Sequence, residues 1–162
     1  MGVELRILRQ LELDGTTCSD MNDLLEVVSP GKPPVTQRDL LEIVKHTTVF
    51  VAYDPEKSHP HGAAKIVGMT LLSERRLMTG YKGYVDDVAV LDGYRGQHIG
   101  RRLMHMLIEH ARQLGMKSLE LTSNPNNPKR RRAIALYESL GFVVADTRVM
   151  RSRLAPPLAF KL

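Results

Sequence analysis

The sequence of 162 residues has almost no cysteine and no long apolar segment. Its one cysteine, Cys18, has no partner within the chain for a disulfide, which is typical of a protein from a reducing compartment. No run of apolar residues is long enough to span a bilayer, and no charged-then-apolar signal segment opens the chain. These absences predict a cytoplasmic protein without a membrane partner.

Two common nucleotide-binding patterns and the usual metal-binding patterns are also missing. Neither G-x-G-x-x-G nor G-x-x-x-x-G-K-[ST] occurs. His59 and His61 lie in a polar stretch with two prolines, but no cysteine or second cluster accompanies them, so we expect a solvated loop and no metal site. The C-terminal Phe160-Lys161-Leu162 shares two residues with a peroxisomal address, a match that chance explains.

The composition is ordinary for a globular protein, with 43% hydrophobic and 25% charged residues. The length predicts a single domain over residues 1–162, with residues 155–162 as a tail or arm. The formal net charge of +5 suits an anionic ligand. Residues 129–132 (Lys-Arg-Arg-Arg) can contact an acidic partner, a cofactor phosphate or solvent. They do not predict nucleic-acid binding, because no aromatic residues are interleaved with them.

Hydrophobic periodicity predicts an α+β sheet with one parallel step, because three strands precede a strand–helix–strand–helix segment. The expected strands are residues 3–8, 47–53, 65–73, 81–90, 118–122 and one or two within 143–149, with a hairpin around Met78-Thr79-Gly80. The expected helices are residues 17–28, one that begins at Thr36, one that runs from Ile99 to Gly115, and residues 129–140, closed by Gly141.

Two helix starts carry capping signals. Thr17 or Ser19 is expected to cap the first helix. Thr36, with Asp39 three residues later, is expected to form a capping box at the second. These signals fix where two helices begin but say nothing about a ligand.

The segment over residues 84–102 predicts a phosphate-binding turn. A β-branched strand passes through Leu91-Asp92-Gly93 and ends where an apolar helical pattern begins. Such a turn leaves N–H groups unpaired at the start of the helix, where the helix dipole is positive. We expect Arg95, Arg101 and Arg102 to surround these amides with positive charge.

Two motifs resemble one enzyme superfamily. Arg95-x-x-His98-x-Gly100 resembles the R/Q-x-x-G-x-G/A segment with which GNAT N-acetyltransferases grip the pyrophosphate of acetyl-CoA. His98 replaces the middle glycine, and at a helix N-terminus we expect this position to need no positive φ. Residues 133–142 (Ala-Ile-Ala-Leu-Tyr-Glu-Ser-Leu-Gly-Phe) are similar to the A-x-x-L-Y-E-K-L-G-F segment of the same superfamily, in the same order along the chain.

The resemblance implies a GNAT fold, in which a central mixed, mostly antiparallel twisted sheet of about six or seven strands is flanked by four helices. It implies an acetyl-CoA-dependent N-acetyltransferase that uses no metal. It also implies a homodimer, for which residues 143–153 can supply an edge. The implied cofactor contacts are the main chains of Val88 and Val90, the segment Arg95, Gly96, Gln97, His98, Ile99, Gly100 and Arg101, and Arg130, where relatives usually have asparagine.

The candidate catalytic residues are Tyr137, Asp86 and Asp87. The pattern around Tyr137 favours a core aromatic, whereas the resemblance implies that its phenol protonates the departing thiolate. Strand alternation would direct Asp86 and Asp87 to opposite faces, so at most one faces the acceptor. That aspartate would order a water or bind the acceptor ammonium; pairing with an arginine across the sheet is the alternative.

The acceptor stays open at this point. An amino sugar phosphate such as glucosamine 6-phosphate, a polyamine and a protein or peptide amine are all compatible with the motifs. The alternative to an enzyme is a non-catalytic sensor module that binds acyl-CoA. A nucleic-acid binder is a third hypothesis, and it predicts salt-sensitive binding.

Overall fold

The computed structural model describes residues 2–60 and 64–152, with the backbone alone at Lys129. These residues form five strands and four helices. The strands are β1 (Glu4–Ile7), β2 (Thr47–Ser58), β3 (Ala64–Leu77), β4 (Gly80–Val90) and β5 (Ser118–Glu120). The helices are α1 (Gly15–Val28), α2 (Gln37–His46), α3 (Ile99–Gln113) and α4 (Arg131–Ser139). Their order along the chain is β1-α1-α2-β2-β3-β4-α3-β5-α4.

The strands form one sheet in sequence order, β1-β2-β3-β4-β5. The first three pairings are antiparallel, and β4 and β5 are parallel, connected through α3. The hairpin between β3 and β4 turns at Met78 and Thr79, as its sequence predicts. The predicted α+β sheet, mostly antiparallel with one parallel step, is confirmed.

Alternation along β2 divides the core between the two faces of the sheet. Val49 and Val51 belong to a buried cluster that includes Met21 and Leu24 of α1. Phe50, which lies between them, is fully buried and packs edge-to-face against His110 of α3, with ring centroids 5.4 Å apart. Helix α1 therefore covers one face of the sheet and α3 the other.

The helix starts differ in how well they match their predicted caps. Helix α1 begins at Gly15, and the side chain of Asp14 accepts a hydrogen bond from the Thr17 N–H at 2.7 Å. The prediction of Thr17 or Ser19 as the cap is wrong, because the helix starts earlier than its apolar pattern. At α2 the capping box between Thr36 and Asp39 is confirmed.

The number of strands is five in the described residues, against the six or seven expected. The difference lies in residues 143–149, which form no strand among those described. Val143 and Val144 are 87% and 95% exposed. A β-branched sequence makes a strand only where it meets a ladder partner, and propensity alone supplies none.

The chain divides into two compact units, Met1–Thr122 and Ser123–Leu162. The first contains the sheet, with α1, α2 and α3. The second contains α4, preceded by a 3₁₀ turn at Pro128–Arg130. A single domain over residues 1–162 stays a prediction. The expected tail, residues 155–162, lies outside the described residues.

Candidate functional site

Strand β4 contains a bulge at the two candidate aspartates. Leu71 pairs with Asp86 and Met69 pairs with Ala89, so Asp87 and Val88 together oppose one residue of β3. Asp87 has a φ of 46°, in the left-handed region that few residues other than glycine adopt. A bulge of this kind bends the strand and re-aims its side chains. The alternation of a regular strand therefore does not determine whether Asp86 and Asp87 point to opposite faces of the sheet.

The C-terminal half of β4 has a strand on one side only. Within the described residues, β5 pairs with β4 at residues 82–84 and no further. In a strand with one free edge, every second residue directs its N–H and C=O outward. The half that contains Val88 and Val90 thus offers main-chain hydrogen-bonding groups to a ligand.

The open half of β4 leads directly to the start of α3. A 3₁₀ turn at Asp92–Tyr94 follows the strand, and the first backbone bond of α3 runs from the Arg102 N–H to the His98 carbonyl at 3.0 Å. No side chain caps this helix. The N–H groups of Ile99 and Gly100 therefore point out of the helix end, where the dipole attracts an anion.

Close packing holds this helix end against the sheet. Gly68 of β3 lies under it, and a Cβ at Gly68 would be 3.2 Å from both Ile99 and Leu103. Ile99 is 2% exposed, so its side chain belongs to the core. Of the predicted contact residues, Ile99 can therefore offer a ligand only its backbone.

The conformation of His98 corrects one prediction. This residue has a φ of 58°, so the position does adopt the left-handed conformation that a glycine there would allow. Histidine is one of the residues that tolerate this conformation better than most. Gly96, two residues earlier, has a φ of 82°. Gly96, Gln97 and His98 are all exposed, as a ligand-binding turn requires.

The three arginines expected around the turn have different environments. Arg95 pairs with the carboxylate of Asp92 at 2.7 Å and remains half exposed. Arg102 donates to the carbonyl of Val3 at 2.8 Å, so it holds the residue before β1 instead of surrounding the turn. Arg101 is partly buried in the first turn of α3. The positive charge near the amides therefore comes from two of the three arginines.

A tyrosine–aspartate pair supports the turn from β2. The hydroxyl of Tyr94 donates to Asp54 at 2.6 Å. Burial, together with this hydrogen bond, raises the pKa of Tyr94 to about 12. The same hydrogen bond lowers the pKa of Asp54 below its usual range. The pair connects the 3₁₀ turn before Arg95 to the far end of a core strand.

Asp86 lies on the α1 side of the sheet, because its ladder partner Leu71 belongs to the cluster beneath α1. Its carboxylate accepts a hydrogen bond from the Ser73 hydroxyl at 3.0 Å. On the same strand, the hydroxyl of Tyr84 donates to the Thr122 hydroxyl at 2.9 Å. Asp86 is thus a half-buried, oriented carboxylate beside the bulge, whereas Asp87 is exposed.

His59 is not the solvated loop residue that its sequence suggests. It lies 3.0 Å from the carboxylate of Asp20, which is 2% exposed on α1 and also accepts from the Ile66 N–H. His61 lies outside the described residues. No group of three potential metal ligands occurs among the residues that the structure describes.

None of the described helices is long and apolar enough to cross a membrane.

Within the second unit, α4 positions Tyr137 beside Phe142, with ring centroids 6.1 Å apart. Burial raises the pKa of Tyr137, and the charge of Arg130 partly opposes this shift. Arg130 occupies the N-cap position of α4 without a side-chain cap, and Arg131 and Arg132 are exposed. The phenol is therefore protonated at neutral pH, as a general acid must be.

Sequence reasoning missed Ser73, Tyr94 and Asp54 as parts of this site. The position of Ser73 could have been predicted from the hairpin. Counting residues back from the turn pairs Ser73 with Tyr84, which is two residues before Asp86. Tyr94 and Asp54 are 40 residues apart and carry no local signal.

Comparison with known proteins identifies the chain's relatives. The model of the acetyltransferase (GNAT) family matches residues 18–142. A Trypanosoma brucei acetyltransferase is 28% identical, with a TM-score of 0.70 over 94% of this chain and 100% of that one. An Arabidopsis thaliana glucosamine-6-phosphate N-acetyltransferase is 18% identical, with a TM-score of 0.70 over 94% and 99%. An aminoglycoside acetyltransferase from an uncultured soil sample, solved with sisomicin, is 16% identical, with a TM-score of 0.73 over 95% and 97%. No curated protein matches by sequence.

Proposed function

The chain belongs to the acetyltransferase (GNAT) family, and on that premise we propose that it moves the acetyl group of acetyl-CoA to a primary amine by direct attack. The observation that carries the proposal is the half-open strand β4, which has no second neighbouring strand beyond Tyr84 among the described residues and leads to the uncapped start of α3. Acetyl-CoA supplies an activated thioester, a chain of amides and a diphosphate. The amides suit a strand edge, and the diphosphate suits helix amides.

The proposed cofactor contacts follow from this fit. Main-chain groups of the open half of β4 would hydrogen-bond the pantetheine arm, and the amides at the start of α3 would bind the diphosphate. Arg95 and Arg101 would add charge. The proposed contact residues are Val88, Val90, Arg95, Gly96, Gln97, His98, Ile99, Gly100, Arg101 and Arg130.

Asp86 is the aspartate we favour for the acceptor. An alkyl amine has a pKa near that of lysine, so it must lose a proton before its nitrogen can attack. The carboxylate of Asp86, oriented by Ser73 on the face covered by α1, would bind the ammonium or a water that takes its proton. Asp87 is the second candidate, with its strained backbone at the bulge.

Tyr137 would protonate the leaving group. In the transfer a bond forms between the amine nitrogen and the carbonyl carbon, the carbon–sulfur bond breaks, and the sulfur takes a proton. The raised pKa of Tyr137 keeps its phenol protonated until a basic thiolate develops. Cys18, the one cysteine, lies on α1 and bonds to the Val35 carbonyl, so we propose no acetyl-cysteine step.

The acceptor, the location and the assembly are further parts of the proposal. An amino sugar phosphate such as glucosamine 6-phosphate, a polyamine and a protein amine are the candidate acceptors. The names of two structural relatives mention glucosamine 6-phosphate and aminoglycosides, which supports an amine-bearing sugar. A cytoplasmic location and a homodimer stay predictions.

Two measurements test the proposal. Calorimetry should show binding of acetyl-CoA and of free coenzyme A, and thiol release from acetyl-CoA should accelerate with at least one member of an amine panel. Tyr137→Phe should lower kcat about a hundredfold or more, whereas Tyr81→Phe, the same change on the exposed β3–β4 hairpin, should not. Cofactor binding without amine-dependent release would support the sensor alternative instead. Absence of cofactor binding would reject both.

A further inference from the structure

The hairpin of β3 and β4 carries two arginine–tyrosine stacks. Arg75 lies over the ring of Tyr84, with its guanidinium carbon 5.0 Å from the centroid. Arg76 lies over the ring of Tyr81 at 3.9 Å. Because successive strand residues point to opposite faces, the two stacks lie on opposite sides of the sheet. The chain thus contains two similar cationic groups that differ in what surrounds them.

The stack of Arg75 is on the same face as Asp86. The ladder pairs Ser73 with Tyr84 and Arg75 with Lys82, and directly paired residues share a face. Asp86 lies two residues beyond Tyr84 on the same strand, roughly 7 Å along it. A cation and the oriented carboxylate therefore flank one half-buried tyrosine on the face covered by α1.

Of the two cations on this face, Lys82 has a carboxylate partner within the described residues and Arg75 has none. Lys82 pairs with Glu120 at 3.1 Å. Arg75 is exposed, and no carboxylate of the described residues lies within ion-pair distance of it. On the opposite face, by contrast, Tyr81 beneath Arg76 donates its hydroxyl to Glu74, which brings a carboxylate to that stack.

Arginine in this arrangement suits an anionic ligand. Stacking on Tyr84 limits the motion of the guanidinium, so less freedom is lost when it binds. Its planar fork can donate two parallel hydrogen bonds to a phosphate or carboxylate. An oriented carboxylate suits an ammonium at the other end of the same ligand.

We propose that the acceptor is a small primary amine that also carries an anionic group, with the ammonium at Asp86 and the anion at Arg75. This inference rests on the proposed acetyltransferase function and narrows its acceptor. An amino sugar phosphate has both required groups, because its amine and its phosphate lie on opposite sides of one ring. Polyamines and aminoglycosides, which carry only positive charge, do not.

The test compares kcat/KM for glucosamine 6-phosphate and for glucosamine in three proteins. The unmodified enzyme should prefer the phosphorylated amine about tenfold or more, the range expected for a charged hydrogen bond. Arg75→Gln should remove most of this preference. Arg76→Gln, the neighbouring change on the opposite face, is the matched control and should keep it. Both arginines are exposed, so neither change should impair folding.

Three outcomes would overturn the inference. The unmodified enzyme could prefer glucosamine or spermidine to the phosphorylated sugar. The two arginine variants could lose the preference equally. Only amines without an anionic group could be turned over. Calorimetry with acetyl-CoA separates these outcomes from failure of the proposed function, because a protein that binds no cofactor would reject both proposals.

Discussion

The two halves of β4 belong to one strand but have different neighbours. Residues 80–84 pair with β3 on one side, and three of them pair with β5 on the other. Among the strands that the structure describes, residues 85–90 pair with β3 alone, and they contain the bulge at Asp87. We call these the closed half and the open half. The closed half has the dense packing of a core strand, whereas the open half has a strained backbone and an edge without a second strand among the described residues, which are the features of a binding site.

The largest expected effect is in the closed half, at Gly83. A Cβ there would lie 2.6 Å from Leu119, 2.7 Å from Leu72 and 2.8 Å from Met116. Gly83→Ala should lower the free energy of unfolding by about 2 kcal/mol, because these side chains must shift. Urea denaturation measures the change. Gly93→Ala is the control, since nothing lies within 4 Å of its Cβ, and it should change stability by less than about 0.5 kcal/mol. Equal effects at both positions would contradict the close packing of the closed half.

The second prediction concerns the bulge of the open half. Asp87→Val should lower the free energy of unfolding by about 1–2 kcal/mol, because a β-branched residue tolerates a φ of 46° poorly. Asp87→Asn should have a smaller effect, since asparagine adopts this conformation more readily. The same denaturation experiment checks both. A valine variant as stable as the asparagine variant would indicate that the bulge is absent in solution.

Tyr94 should have a smaller effect that depends on pH. Its pKa is about 12 in the folded protein against 10.0 in an unfolded chain, so it contributes stability below pH 10 that is lost as the pH rises towards 12. Asp54 has a lowered pKa, so its contribution is present above its unfolded value and is lost as the pH falls below it. Tyr94→Phe should therefore be less stable at pH 7 and should lose less stability between pH 10 and pH 12. Thermal melts of both proteins across that range give the comparison.

The difference between the halves also shows what sequence alone can predict. The elements follow from local patterns: apolar periodicity gives α3, and the capping box at Thr36 gives the start of α2. The proposed cofactor motif is also local, because it consists of a strand that turns into a helix within a few consecutive residues. These are features of the backbone near each residue, so a linear pattern reports them.

What the sequence does not reveal depends on distant partners. The bulge at Asp87 arises from the register with β3, which the residues of β4 alone do not specify. The contact between His59 and Asp20 joins residues 39 positions apart, so the local sequence predicts a solvated histidine. Residues 143–149 have a strand-like pattern but no ladder partner among the described residues. Each of these features depends on whether a distant partner is present, and local propensity does not contain that information.

The smallest expected effect tests the end of the open half at His98. A non-glycine residue at a φ of 58° costs about 1–2 kcal/mol, and replacement by glycine relieves that strain while it adds freedom to the unfolded chain. His98→Gly should therefore raise the free energy of unfolding by about 0.5 kcal/mol. Gly96→Ala is the reverse substitution at a similar backbone conformation. A Cβ at Gly96 would have open space around it, but the φ of 82° disfavours alanine, so this change should lower the free energy of unfolding by about 1 kcal/mol. Because His98 is exposed and nothing lies within 4 Å of a Cβ at Gly96, opposite signs at these two positions would attribute the strain to the backbone of the turn itself. A loss of stability in His98→Gly would instead mean that the imidazole makes a stabilising contact.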